Sequence, residues 1–352
     1  MNRLSLLCAV LFCAAVASAQ MPALSPLKQT GTLSNPPDPN NFVFVMAGDN
    51  RPATLSCPQP PIPGTIFADV HQMKPPAAFV LWTGDTITGK APAGEISKYK
   101  KQINDEYKEF LAIAATSGVP VFNAPGNHEM DNKDEVPSHK MKEFYRNYMA
   151  EPYGAFTYGN SRFIALDSEN EPTPAKLSKQ KSTAEGSIKM QPPGFITKKQ
   201  LDLLKGDLEA NKDKMHVIIF MHHPVEPYSD KTGLYEPSVK VLKKIFKDYT
   251  NVSYVVSGHE HMYYNPQGPK NKLTDPPSRT DPARQQQPPH LPLPPYYLIS
   301  GGGGAPLKKD TPGSFYHYLI FKVEGAQITP TLVKVDWSGP LCVPKTKTTF
   351  GE

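Results

Sequence analysis

Seven short apolar runs recur along the chain, and several of them stop on glycine followed by a polar or charged residue. The runs are FVFVMA, AAFVLWT, VPVFNAP, RFIALDS, MHVIIFM, VSYVVSG and YYLISGG. Each is rich in Val, Ile, Phe or Tyr and bounded by Gly, Pro, Asp or Asn, the pattern of a short buried strand. Helical patterns lie between several of them. EISKYKKQINDEYKEFLAIAATSG carries one apolar face and ends at Gly118, the residue type that helix C-termini favour. ITKKQLDLLKGDLEANKD, opened by Thr197 as an N-cap, and EPSVKVLKKIFKDY are two more. Strands alternating with helices predict an α/β sheet covered on both faces. The last segment breaks the rhythm, because its two strands around Glu324-Gly325 read as an antiparallel hairpin.

The first residues have a positive Arg3, an apolar stretch from Leu4 to Val16, and Ala17-Ser18-Ala19 before Gln20. That is the pattern of a secretory signal peptide, residues 1–19, cut after Ala19. Its apolar stretch is too short to span a bilayer comfortably. Neither Cys8 nor Cys13 follows the small-residue pattern of a lipid-attachment site. No later stretch is long and apolar enough to cross a membrane, so the expectation is an exported protein, periplasmic or secreted, with no membrane span in its mature chain. Losing Arg3 takes the formal charge from +5 to +4. That is too mild to indicate nucleic acid, and no basic run is interleaved with aromatics. Of four cysteines, Cys57 and Cys342 outlast the signal. In an oxidising compartment they form either one disulfide or two separated thiols.

Residues 20–40 are polar and proline-rich and read as a flexible leader. One domain then spans 41–342, with surface insertions near 171–194 and 265–295 and a tail at 343–352. The insertions are lysine-rich or proline-laden and cannot contribute core.

The ends of the apolar runs carry the chemistry. Gly48-Asp49, Gly84-Asp85, Gly126-Asn127-His128-Glu129, His222-His223-Pro224 and Gly258-His259-Glu260-His261 each follow one. In α/β sheets, ligands gather at the carboxyl ends of strands. Five strand ends therefore bring carboxylates, an amide and imidazoles to one rim. Oxygen and nitrogen donors without cysteine suit Zn, Mn or Fe. Each piece alone is explicable as a turn or a structural histidine, whereas all five in order are not.

The ordered set GDNR, GDT, GNHE, MHHP and GHEH resembles that of the calcineurin-like metallophosphoesterases, the superfamily of purple acid phosphatases and cyclic-nucleotide phosphodiesterases. The resemblance covers roughly residues 41 to 338. It implies a four-layer αββα sandwich of two mixed sheets flanked by helices, with a metal site at the strand C-terminal ends. It also implies two metal ions and a small-molecule phosphoester substrate, monoester or diester. Asp85 would bridge both ions. Asn127, His222 and His259 would complete one site, and Asp49 and His261 the other. His128 would act on the leaving group and, with Asn127, contact substrate.

Arg51 stands where most of the family has a histidine ligand to the first metal. A guanidinium has no lone pair to give. Purple acid phosphatases also lose that histidine but supply a tyrosine three residues after the second motif's aspartate, and here that position is Thr88. Three readings of Arg51 stay open: a bidentate phosphate clamp, a brace paired to Asp49 or Glu129, or a fixed charge replacing the first metal. Other polar residues are assigned plainer roles. His216 and His317 read as structural, Asp167 as a turn residue, and His223 as a neighbour of the ligands. Gly301 to Gly304 suit either a phosphate cradle or a tight turn.

Overall fold

The computed structural model describes residue 24 and residues 32–89, 95–130, 139–149, 151–169, 194–268 and 295–342. The expected signal peptide, part of the expected leader, most of both expected insertions and the tail lie outside these residues. All seven apolar runs form strands: β1 (Asn41–Ala47), β2 (Ala77–Trp82), β3 (Val121–Asn123), β5 (Ser161–Ala165), β6 (His216–Met221), β7 (Val252–Ser257) and β9 (Tyr296–Ser300). The hairpin is β10 (His317–Glu324) with β11 (Gln327–Lys334), paired antiparallel. Two strands complete the set, β4 (Gly154–Tyr158) and β8 (Tyr263–Tyr264).

The strands form two mixed sheets, ordered β11-β10-β1-β2-β3 and β4-β5-β6-β7-β9-β8. Alternation along β1 shows how they pack. Phe42, Phe44 and Met46 join Phe79, Phe163, Phe220 and Phe321 in the core between the sheets. Val45 and Ala47, one position on, point the other way into a core with helices α1 (Pro61–Gln72) and α2 (Ile96–Ala115). On the far side of the second sheet, α5 (Lys198–Ala210) and α6 (Glu236–Asp248) cover Ile164, Ile219 and Val255. The order is therefore helix, sheet, sheet, helix. Strands buried on both faces explain why the runs read as continuous apolar stretches.

The Thr197 hydroxyl caps α5, accepting from the Gln200 N–H. Short helices α3 (Asn127–Met130) and α4 (His139–Tyr148) follow β3. The proline-rich stretch around Cys57, LSCPQPPIPG, has the composition of a loop but runs straight into α1. Pro61 and Pro63 sit in its first turn, where the missing N–H costs no helical bond.

Cys57 and Cys342 are joined, with Cα atoms 5.2 Å apart and a sequence separation of 285. The bridge ties the chain's far end to the loop that follows β1. Cys57→Ser with Cys342→Ser should lower the free energy of unfolding by about 2–4 kcal/mol. Denaturant titration of the variant against the oxidised protein measures it, with alkylation and mass analysis confirming the bridge. Two alkylated thiols in the unreduced protein would refute the pairing.

Candidate metal centre

Strand ends of both sheets meet at one rim. The first sheet supplies Asp49 and Arg51 after β1, Asp85 after β2, and Asn127 and His128 at the start of α3. The second supplies His222 after β6 and His259 and His261 after β7. All eight residues named from sequence are brought together there. The backbone is strained at this rim. Asp49, Asp85, His259 and His261 have φ of 60°, 52°, 73° and 47°. Positive φ is uncommon for such residues, and among the described residues Asp310 alone shares it. Glycines give these side chains room. A Cβ on Gly126 would lie 2.3 Å from Asp85 Oδ1, and one on Gly258 would lie 2.1 Å from Asp49 Oδ2.

Lone pairs converge at the centre. Nδ1 of His222 lies 2.8 Å from the Thr83 carbonyl, which can only accept, so that nitrogen carries the hydrogen. With burial lowering the imidazole's pKa, Nε2 then presents a bare lone pair. That nitrogen faces Asn127 Oδ1 at 3.0 Å and Asp85 Oδ1 at 3.4 Å, acceptor against acceptor. His259 Nδ1 lies 3.0 Å from it on another side. His261 repeats the arrangement: Nδ1 is held by the Pro306 carbonyl at 2.7 Å, and Nε2 lies 3.6 Å from Asp49 Oδ1. Burial and then the Arg51 charge push His261 down to about 4. Burial and Asp85 push Asp49 well up. Neutral imidazoles among crowded carboxylates form a donor set that a cation satisfies. Ligand atoms of Asp49, Asp85 and His222 lie within 4.8 Å of one another. Asn127 Nδ2 is buried without a hydrogen-bond partner. The residues fit metal.

A second tier of polar residues holds this geometry, and most of it was not read from sequence. Glu129 turns inward beneath the loops, away from Arg51. Its carboxylate accepts from the backbone N–H groups of Asp85, Thr86 and Gly126 and from the Thr86 hydroxyl. Thr88, at the tyrosine position of purple acid phosphatases, is a hub instead of a ligand. Its carbonyl bonds His128 Nδ1, its hydroxyl donates to the Pro52 carbonyl, and its N–H donates to Glu106. Glu260, inside GHEH, accepts from the Tyr228 and Ser229 N–H groups and fixes the loop after β6. His223 pairs with Glu169 at 2.6 Å, its ring 4.2 Å from that of His259.

The plainer assignments are mostly met. Asp167 Oδ1 accepts from Glu169 N, a turn. His216 lies between Ser253 Oγ and the Gly325 carbonyl. His317 is buried, but its Nε2 has no partner. The glycine run packs on the site's backbone, with Gly303 N–H bonded to Gly48 O and Ala305 N–H to Asp49 O. Those N–H groups, with that of Gly301 on Met262 O, are spent on backbone carbonyls, which supports the tight-turn reading.

Arg51 pairs with Asp85, at 3.7 Å from Nε to Oδ2, and not with Asp49 or Glu129. It opens onto a cleft of about 420 Å³ lined also by Asp85, Asn127, His128, His259 and His261. A larger cavity of about 580 Å³ lies at the opposite ends of β1 to β3. Its charged groups, Lys322 and Glu324, are paired with each other at 2.7 Å, so it assembles no chemistry.

The calcineurin-like phosphoesterase family profile matches residues 63–263. The chain belongs to that family. One curated relative, the 3',5'-cyclic adenosine monophosphate phosphodiesterase CpdA of Pseudomonas aeruginosa, is 26% identical over 176 residues. That match takes in 49% of this chain and 54% of the relative, about half the length of each. A dimetal phosphatase from Danio rerio has a similar fold, with a TM-score of 0.51 and 15% identity over 84% of this chain and 99% of that one. Family members are metal-dependent phosphoester hydrolases, and the αββα sandwich with its metal site at the strand ends is theirs.

Proposed function

We propose that the protein is an exported phosphoesterase that uses two metal ions to hydrolyse small-molecule phosphate esters. The observation that carries this is the convergence of carboxylate and amide oxygens and ring nitrogens from six side chains on one rim between two sheets. Asp85 would carry charge to both ions, since Oδ1 faces His222 while Oδ2 faces Arg51 and His128. Asn127, His222 and His259 would hold one ion, and Asp49 and His261 the other. Bound metal would supply a water ionised near neutral pH and charge to offset the phosphate.

The chain's own groups do the rest. Thr88 holds His128 by Nδ1 and turns Nε2 into the cleft, where it would give a proton to the leaving oxygen. Arg51 would hold phosphate oxygens from the first-sheet wall. Export is supported by the Cys57–Cys342 bridge, since disulfides persist in oxidising compartments. The relative's cyclic-AMP activity keeps diesters among the substrates.

Hydrolysis of p-nitrophenyl phosphate and its bis-ester, by full chain loaded with Mn, Zn or Fe, tests the reading alongside metal content. No turnover of either ester with two ions bound would favour a phosphate-binding relative instead. N-terminal sequencing of protein from the exported fraction should begin at Gln20.

A second reading gives Arg51 the place of the first metal's missing ligand, leaving one ion. Arg51→His decides between them. If the side chain points at the first site, the new imidazole adds a ligand. The metal concentration for half-occupancy, read by calorimetry, should then fall about tenfold or more. Unchanged affinity would show that position 51 does not address metal.

A further inference from the structure

Lys308 is the feature of this cleft that the reading above leaves unused. It comes from the second-sheet wall, after β9, and faces a first-sheet wall that carries Arg51. Its backbone is fixed by the site itself. Ala305 N–H bonds Asp49 O, Pro306 O holds His261 Nδ1, and Lys308 N–H reaches His261 O. The ammonium lies 5.2 Å from the centre of the Tyr228 ring, and Tyr264 packs edge-on against that ring. Glu260, the carboxylate that lines the cleft on this wall, is committed to Tyr228, Ser229 and Thr232. Among the described residues, Lys308 makes no ion pair. An aromatic-braced cation at a catalytic cleft without an anion of its own is arranged to receive one from solution.

We propose that Lys308 binds substrate and, opposite Arg51, makes the site select the doubly charged phosphate of a monoester over the singly charged phosphate of a diester. This rests on the phosphoesterase reading. A monoester carries about −1.5 to −2 at neutral pH, with its second pKa about 6, and leaves three oxygens for contacts. A diester carries one charge, and its second ester arm covers an oxygen that an ammonium would approach. Two side-chain cations from opposite walls therefore add more to monoester binding than to diester binding. The gain is moderate because Lys308 is half-exposed and screened.

Lys308→Met and Lys308→Arg in the metal-loaded full chain test this. The ratio of kcat/KM for p-nitrophenyl phosphate over bis(p-nitrophenyl) phosphate should fall about tenfold in Lys308→Met, the scale of one charged hydrogen bond at a half-exposed site. Lys308→Arg should restore most of it. The deficit of Lys308→Met toward the monoester should shrink as pH falls below that ester's second pKa, where it loses its second charge. Equal losses toward both esters, or none, would overturn the proposal. Calorimetric binding of inorganic phosphate to the same proteins separates the two readings. If wild type hydrolyses neither ester, the phosphoesterase reading fails; weaker phosphate binding by Lys308→Met still supports the anion contact, and unchanged binding overturns it.

Discussion

Asp85→Asn should abolish phosphoester hydrolysis and strip metal from both sites while leaving the fold intact. The substitution removes a charge and little else. Asparagine keeps the shape and the Oδ1 acceptor, which takes the His128 N–H at 3.0 Å. It also tolerates the left-handed backbone, φ 52°, that position 85 requires. What disappears is the carboxylate facing both halves of the centre. Without metal, that charge is a burden. It lies among the groups that push Asp49 well up, and it joins burial in raising Glu129 to about 7. The metal-free folded protein therefore keeps a proton on Glu129 that the unfolded chain releases above its ordinary 4.5. Fewer protons bound in the unfolded state mean that stability falls as pH rises from about 4.5 to about 7, then levels off. Asp85→Asn should flatten that slope and hold or raise the melting temperature of the metal-free protein. Metal analysis after dialysis, melting curves across pH and turnover together check it. Near-normal turnover with metal retained would sink the assignment of Asp85. A large drop in metal-free stability would make it a structural residue instead.

The strands and the ligand motifs were legible because each is written locally. A run such as MHVIIFM is apolar whichever sheet it joins, and the residue after it falls at the strand's end by construction. The helix α1 was less legible, because Pro61 and Pro63 read as loop punctuation when they occupy a first turn that tolerates them. The supporting polar groups were not legible at all. Glu129 sits inside a recognised motif, yet its bonds run to Asp85 and Thr86, over forty residues back in sequence. Thr88 showed as a missing tyrosine, and nothing local says that its carbonyl holds His128. Lys308 lies in an unremarkable LKKD stretch, and folding of the glycine run onto Gly48 and Asp49 is what carries it to the cleft. Such residues work through partners chosen by tertiary structure, and no periodicity encodes them.

His128→Ala should keep its metal and lose rate, by about 10²–10⁴-fold for esters with poor leaving groups, the usual size of a general-acid contribution. The side chain faces the cleft, while the backbone N–H that bonds Asp85 Oδ1 survives truncation. The residues proposed to hold metal therefore keep their support. The imidazole's placement suits proton donation: Thr88's carbonyl holds Nδ1 and fixes the ring, while Nε2 lies 3.8 Å from Asp85 Oδ2 at the cleft wall. A proton donor matters in proportion to how badly the departing oxygen needs one. An alkyl phosphate leaves as a strong base, whereas p-nitrophenolate leaves well without help. The deficit of His128→Ala should therefore be largest for alkyl esters and shrink toward p-nitrophenyl phosphate, with metal content unchanged throughout. A rate loss independent of the leaving group would make His128 a phosphate contact. Loss of metal would make it a ligand, and the division of labour between His128 and Asn127 would have to be redrawn.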